Sequence, residues 1–206
     1  MAEFVWTPRS PLKAEASARL GRQDGSAGVV LREIRGFDLA LVACRRGRWG
    51  ALNIEAKRRF GVEAPQMARA LRAGDALLIW SGPEQFLVVM PRGGMALADE
   101  LTNAFGDTAS VSDQSNARCL LAVGGPLVRN VLAKLISIDL DDSAFPFGSA
   151  ATTIIDHTNV VIWRGLDDRD IYHILCPTSY AESLWHAAVD AAAEFGIDKA
   201  QRTFGN

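Results

Sequence analysis

The chain has 206 residues, of which 49% are hydrophobic and 22% charged, and its formal net charge is −2. That composition suits one large soluble globular domain or two smaller ones, each with a core of its own. The near-neutral balance and the lack of a basic run exclude a nucleic-acid surface, and no apolar segment nears the ~18–20 residues of a membrane span.

Residues 1–27 read as an N-terminal arm. The opening "MAEFVWTPRSPLKAEA" lacks the apolar centre of a signal peptide. Pro8, Pro11 and the cluster "GRQDGSAG" argue against a regular element, yet Phe4, Val5, Trp6 and Leu12 are apolar. Such a segment is either a frayed terminus or an arm that orders on a partner. Phe4, Val5, Trp6 and Leu12 are therefore the candidate partner-interface residues.

From Phe37 the pattern is regular. "FDLALVAC" (37–44) predicts a strand, and "ALNIEAKRRF" (51–60) a helix closed by Gly61. "ALLIW" (76–80) and "QFLVVM" (85–90) are strands joined by the turn "SGPE". "MALADELTNAF" (95–105) puts Leu97, Leu101, Ala104 and Phe105 on one helix face, with Gly106 as the stop. The order then recurs. "CLLAV" (119–123) is a strand, and "LVRNVLAKL" (127–135) a helix with Val128, Val131, Leu132 and Leu135 on one face. "ATTIID" (151–156), "VVIWR" (160–164) and "IYHILC" (171–176) are strands. "SYAESLWHAAVDAAAEF" (179–195) is a helix with Tyr180, Leu184, Ala188, Ala191 and Phe195 along one side; Leu184 and Phe195 are expected to be buried. Ser179 and Glu182 form a capping box, and Gly196 ends the helix.

Two stretches share one plan. "QFLVVMP…LADELTNAFG" and "YHILCP…LWHAAVDAAAEFG" each give a strand, a proline, a helix and a closing Phe-Gly. The expected fold class is α+β: two related halves, 28–107 and 108–197, of mixed or antiparallel sheet with helices packed on one face. Residues 198–206 are left as a C-terminal tail.

Chemistry-bearing motifs are few. Cys44, Cys119 and Cys176 lie far apart in or beside apolar runs, which fits buried reduced thiols and a cytoplasmic location. Neither they nor His157, His173 and His186 have metal-ligand spacing, so no metal site is predicted. "LLAVGGPLVRNVLAK" (120–134) resembles a phosphate-binding turn, but Pro126 lacks an N–H and no Lys-Ser or Lys-Thr follows. It reads as a structural corner with Pro126 at the first helical position. "LDDRD" (166–170) and "LDD" (140–142) read as solvated loops, since neither has calcium-loop spacing. Asp156 reads as a turn residue. No catalytic and no cofactor-binding residue is predicted.

The order "VSDQS", "LLAVGGP", "VLAKLISIDL", "FPFG", "ATTII" resembles the folate-dependent aminomethyltransferase fold of the glycine-cleavage T-protein. The matching positions are Asp113, Ser115, Val123, Gly125, Pro126, Leu132, Asp139, Gly148 and Thr153. With "IWSGPEQFLVVMP" upstream and "VIWRGLDDRDIYHILCPTSYAESLWHAAVDAAAEFG" downstream, residues 28–197 resemble the gamma subunits of heterotetrameric sarcosine oxidases. The resemblance implies a non-catalytic structural subunit partnered by alpha and beta subunits, and possibly a delta subunit. The complex would oxidise sarcosine to glycine, reduce oxygen to hydrogen peroxide and pass a one-carbon unit to tetrahydrofolate. It also implies that FAD, FMN, NAD and zinc belong to the other subunits. Where the catalytic relatives carry an acidic pair, the matching stretch here is "DHTNVVIWR", and Val160 to Trp163 cannot supply a carboxylate. The alternatives are a stand-alone folate-binding or aminomethyl-transfer protein and a homomeric interaction module.

Overall fold

The structure is a computed structural model and describes residues 9–12, 19–21, 25–93, 96–166 and 170–204. Phe4, Val5 and Trp6 lie outside the described residues. The elements are β1 (Arg19–Leu20), β2 (Val29–Arg35), β3 (Phe37–Cys44), α1 (Trp49–Phe60), β4 (Ala70–Ala73), β5 (Ala76–Gly82), β6 (Gln85–Pro91) and α2 (Leu97–Phe105). There follow β7 (Ala109–Asp113), β8 (Arg118–Gly124), α3 (Val128–Leu132), β9 (Ala150–Ile155), β10 (Thr158–Arg164), β11 (Ile171–Pro177), α4 (Ala181–Ala192) and β12 (Ile197–Thr203).

The central strands are nearly continuous apolar runs because both of their faces are covered. On β10, Val160 and Ile162 pack toward the helix side, and Val161 and Trp163 toward the opposite sheet. On β3, Ala40 and Val42 meet α1 and α2, and Leu39 meets the other sheet. The result is four layers: helices, a five-stranded sheet, a seven-stranded sheet, helices. The five-stranded order is β4-β5-β6-β3-β7 and the seven-stranded order is β1-β12-β2-β8-β11-β10-β9. The only parallel pair among the described strands is β12 with β2, where Ile197 faces Val29 and Thr203 faces Arg35.

The repeat seen in the sequence is a repeat of topology. The run β3-α1-β4-β5-β6-α2-β7 is matched by β8-α3-β9-β10-β11-α4-β12. Both halves place their strands in the same lateral order, except that β2 sits between β8 and β12. Residues 29–35, expected in the first half, thus belong to the sheet of the second. Residues 198–203, expected in a tail, continue β12. A short run such as "IDKAQRT" has little apolar signal and becomes a strand only because β2 offers it a free edge.

The helices follow their apolar faces. In α2, Leu97, Leu101 and Phe105 are buried, and Phe105 packs edge-on to Phe86. In α4, Leu184 and Ala188 are buried as expected, but so are Trp185 and Ala192. Phe195 is only partly buried, and the Lys134 ammonium sits 4.7 Å from its ring centroid. The capping box does not form. Residues 178–180 make a 3-10 turn, so α4 starts after Tyr180, whose side chain makes no cap hydrogen bond. The hairpin between β9 and β10 turns on Asp156 and His157, both left-handed (φ 43° and 64°), as a two-residue primed turn requires.

Leu12 was expected at a partner interface, but it lies in this chain's own core, 6% exposed, among the residues between α4 and the seven-stranded sheet. Ser10 donates to Glu33 at 2.6 Å and β1 pairs with β12, so these parts of the arm belong to the domain. Burying one leucine offsets the local ordering cost. Leu12→Ala and Leu184→Ala should each destabilise the isolated chain by roughly 2–5 kcal/mol. Urea unfolding followed by circular dichroism measures both; a Leu12→Ala change within about 0.5 kcal/mol would place the arm outside the core.

Candidate functional site

The Gly-Gly turn was the one nucleotide-like motif. Gly125 has φ 112°, and a Cβ there would approach the Gly28 carbonyl oxygen to 2.7 Å. Only glycine permits this crossing. The amides are already engaged: Gly125 donates to the Asp170 carbonyl (3.2 Å), Leu127 to that of Gly28 (3.0 Å) and Val128 to that of Gly125 (3.1 Å). No donor of this set is left for a phosphate. The turn is a structural corner, but Pro126 precedes the helix and does not begin it, since Leu127 is the N-cap.

The other residues singled out in the sequence also hold the backbone. Asp113 accepts from the Ser115 hydroxyl (2.6 Å) and amide (2.9 Å), and the Ser115 hydroxyl oxygen accepts from the Leu39 amide (3.0 Å). This knot fastens the crossover from β7 to β8 onto β3. Cys119 and Cys176 are buried and face each other across β8 and β11; Cys44 is partly buried. The hydrogen bond that Cys119 shares with Cys176, and then burial, push its thiol well above the usual range. Val160 to Trp163 are all buried in the cores. Asp167, Asp168 and Arg169 lie outside the described residues. Among the described residues no group of three or more His, Cys, Asp or Glu is arranged to hold a metal.

Two clefts open where the sheets part around β2 and β12. One, of about 520 Å³, is lined by Arg9, Arg35, Arg92, Arg118, Arg202 and Glu33, with Ser115, Asn116, Thr178 and Thr203. The other, of about 410 Å³, has Trp163 and His173 stacked at 5.0 Å, with Arg72 and Asp75 at its rim. Ile34, Arg202 and Thr203 line both. Sequence reasoning missed both, because each is assembled from distant segments.

The comparisons with known proteins agree. The family model of the GCVT N-terminal domain matches residues 69–203. The chain is 36% identical over 204 residues to the sarcosine oxidase subunit gamma of Corynebacterium sp. (strain P-1), covering 96% of each. To the subunit gamma of Arthrobacter sp. it is 32% identical, covering 91% of each.

The chain belongs to the sarcosine oxidase gamma-subunit family.

The fold matches a chain of the heterotetrameric sarcosine oxidase from Corynebacterium sp. U-96 with a TM-score of 0.72 at 29% identity, covering 83% of this chain and 87% of that one. It also matches the glycine cleavage aminomethyltransferase T of Bartonella henselae, with a TM-score of 0.63 at 20% identity, covering 84% of this chain and 48% of that one. The aminomethyltransferase of Clostridium botulinum (strain Okra) is 31% identical over 127 residues, and the match covers only 34% of that protein. This family member therefore carries the first part of the aminomethyltransferase fold.

One loop carboxylate has a task that the sequence did not show. Asp142, in the loop "LDD", accepts from Arg164, whose side chain is almost fully buried on β10. Arg164 also donates to the Phe145 carbonyl (3.1 Å) and lies over the Tyr172 ring. A buried guanidinium needs such an anion. The Arg164 hydrogen bond in turn holds the Asp142 carboxyl below its usual range.

Two predictions follow from these contacts. Gly125→Ala should destabilise the fold by more than ~1 kcal/mol, and Pro126→Ala by less than that; equilibrium unfolding separates them. Asp142→Asn should lower the Tm at neutral pH. A depressed carboxyl stabilises the folded state above the usual carboxylate range, and that stabilisation is lost as pH falls through the depressed value. The gap in Tm between wild type and Asp142→Asn should close on acidification, as thermal melts at decreasing pH will show.

Proposed function

We propose that this chain is the gamma subunit of a heterotetrameric sarcosine oxidase and acts as a non-catalytic structural subunit. The observation that carries this reading is full-length similarity: 36% identity over 96% of both chains to a subunit of that name, with a matching fold at a TM-score of 0.72. The assembly oxidises sarcosine to glycine with formation of hydrogen peroxide, and its other subunits pass the one-carbon unit to tetrahydrofolate. Its alpha and beta subunits, and a delta subunit where one is present, are the partners of this chain. The FAD, FMN, NAD and zinc of the assembly reside in those partners, and the complex works in the cytoplasm. In support, the glycine turn has its amides consumed and Val160, Val161 and Ile162 fill cores, leaving no carboxylate at the matching stretch. Among the described residues no helix is long and apolar enough to cross a membrane.

The surface offers a place to dock. Of the five exposed large hydrophobics among the described residues, three lie on or beside the edge strand β9: Met67 (82% exposed), Phe147 and Ile154 (55%). The backbone ties Met67 to this edge, since Ala150 donates to the Ala68 carbonyl and Arg69 bridges to Ser149. An apolar sheet edge is a place where another chain can add contacts. A tagged chain should retain two larger flavoprotein subunits from its native cell. The double variant Met67→Glu, Ile154→Glu should keep its Tm and lose most of them. The isolated chain should be colourless and form no peroxide from sarcosine. A stoichiometric flavin on the isolated chain would overturn this assignment.

A further inference from the structure

The cleft of about 520 Å³ draws its five arginines from five separate segments. Arg9 comes from the N-terminal arm, Arg35 from the end of β2, Arg92 from just after β6, Arg118 from the start of β8 and Arg202 from β12. The one carboxylate on the lining is Glu33, which is 2% exposed and accepts from Ser10. Arg92 is engaged with Asp38 at 3.0 Å and with the Phe37 carbonyl at 3.1 Å. Arg9, Arg35 and Arg118 form no ion pair among the described residues.

Surface arginines usually stand apart in solvent or pair with a neighbouring carboxylate. Here three uncompensated guanidiniums converge on a concave space beside Asn116 and Thr203. Arg35 and Arg118 are half-buried, so water screens their mutual repulsion less than on an open surface. Guanidinium is also the group whose planar fork matches two oxygens of a carboxylate or phosphate. The volume is that of a small-molecule site, which commonly falls between about 300 and 1,000 Å³. The segments that supply the arginines are themselves anchored: Ser10 binds Glu33, the Phe204 amide donates to the Arg35 carbonyl (2.7 Å) and the Arg92 amide to that of Gly36 (2.8 Å).

We propose that this cleft binds a small ligand carrying two or more carboxylate or phosphate groups. Arg35, Arg118 and Arg9 of the arm are the groups that hold it. The site is separate from the β9 edge that docks companion subunits, so its test does not depend on that role.

The test is calorimetric titration of the full-length chain at low salt with tricarballylate and with pyrophosphate, beside acetate and chloride as single-charge controls. Saturable binding of one or both multivalent probes is expected, weakening as sodium chloride is added. Which probe binds more tightly decides between a carboxylate and a phosphate ligand. Arg35→Ala and Arg118→Ala should each weaken binding about tenfold or more. Arg72→Ala, in the other cleft, should leave it unchanged. Should either alanine variant fail to fold, Arg118→Gln and Arg35→Gln take its place, with the Tm increase caused by pyrophosphate as the readout. Absence of saturable binding to the wild-type chain overturns the proposal, as does binding that survives both variants. Loss of companion subunits in Arg35→Ala and Arg118→Ala, without any binding of the small probes, assigns the cleft to an acidic segment of a partner and overturns it too.

Discussion

The insertion of β2 between β8 and β12 is the constraint that completes the seven-stranded sheet and fixes where the chain leaves it for the other. Its backbone is paired on both sides, antiparallel to β8 and parallel to β12. Val29 and Leu31 are fully buried toward α3 and α4, and Ile34 faces the opposite sheet. Two residues later, Gly36 (φ 72°) turns the chain into β3, which lies in the other sheet. A strand committed to one sheet is thus joined, through a single left-handed corner, to the centre of the next. The sheets are tied covalently at this corner, and the apolar layer that includes Ile34, Leu39 and Leu120 holds their faces together. The pairing also brings residues 29–35 against 197–203, so the second half closes only when the whole chain is in place. Such non-local contacts cost loop entropy before they stabilise anything, and they slow folding.

The sequence was most legible where a segment's own residues decide its state. The runs 37–44, 76–80, 85–90, 119–123 and 171–176 are apolar enough to be strands under any packing, and the structure extends some of them by only one or two residues. The Phe-Gly repeat was legible too, because β6-α2 and β11-α4 occupy equivalent places in the two sheets. The elements that were missed draw their state from neighbours. β7, "ASVSD", and β12, "IDKAQRT", have little strand propensity and are recruited by β3 and β2. β2 mixes Arg32, Glu33 and Arg35 with its apolar residues, and its buried Glu33 accepts from Ser10 of the arm. In the capping box, a 3-10 turn over 178–180 outcompeted an immediate α-helical start.

Polar sites were legible in inverse proportion to the distance between their parts. A corner made by consecutive residues, Gly124 to Leu127, could be judged structural from Pro126 and the missing Lys-Ser or Lys-Thr, and the engaged amides of Gly125, Leu127 and Val128 fit that reading. Asp142 looked like a solvated loop residue because Arg164, its partner on β10, is far away in sequence. The arginine-lined cleft is the extreme case. Its members are separated by dozens of residues, no two share a motif, and each alone resembles an ordinary solvated side chain. Topology, not composition, gives them a common focus.

The four-layer arrangement also limits where function can reside. Each sheet has one face against helices and the other against its fellow sheet. Between the sheets, Leu39, Ile79, Val89, Leu120, Trp163 and Leu175 are all at most 1% exposed. Side chains packed in this way are closed off from solvent. What remains is the periphery: the sheet edges, of which β9 keeps Ile154 exposed, and the clefts where the sheets part around β2 and β12. A fold whose interior is filled by its own strands can contribute to a larger machine chiefly through such edges and clefts, and those are the places where this chain keeps exposed apolar side chains and uncompensated charge.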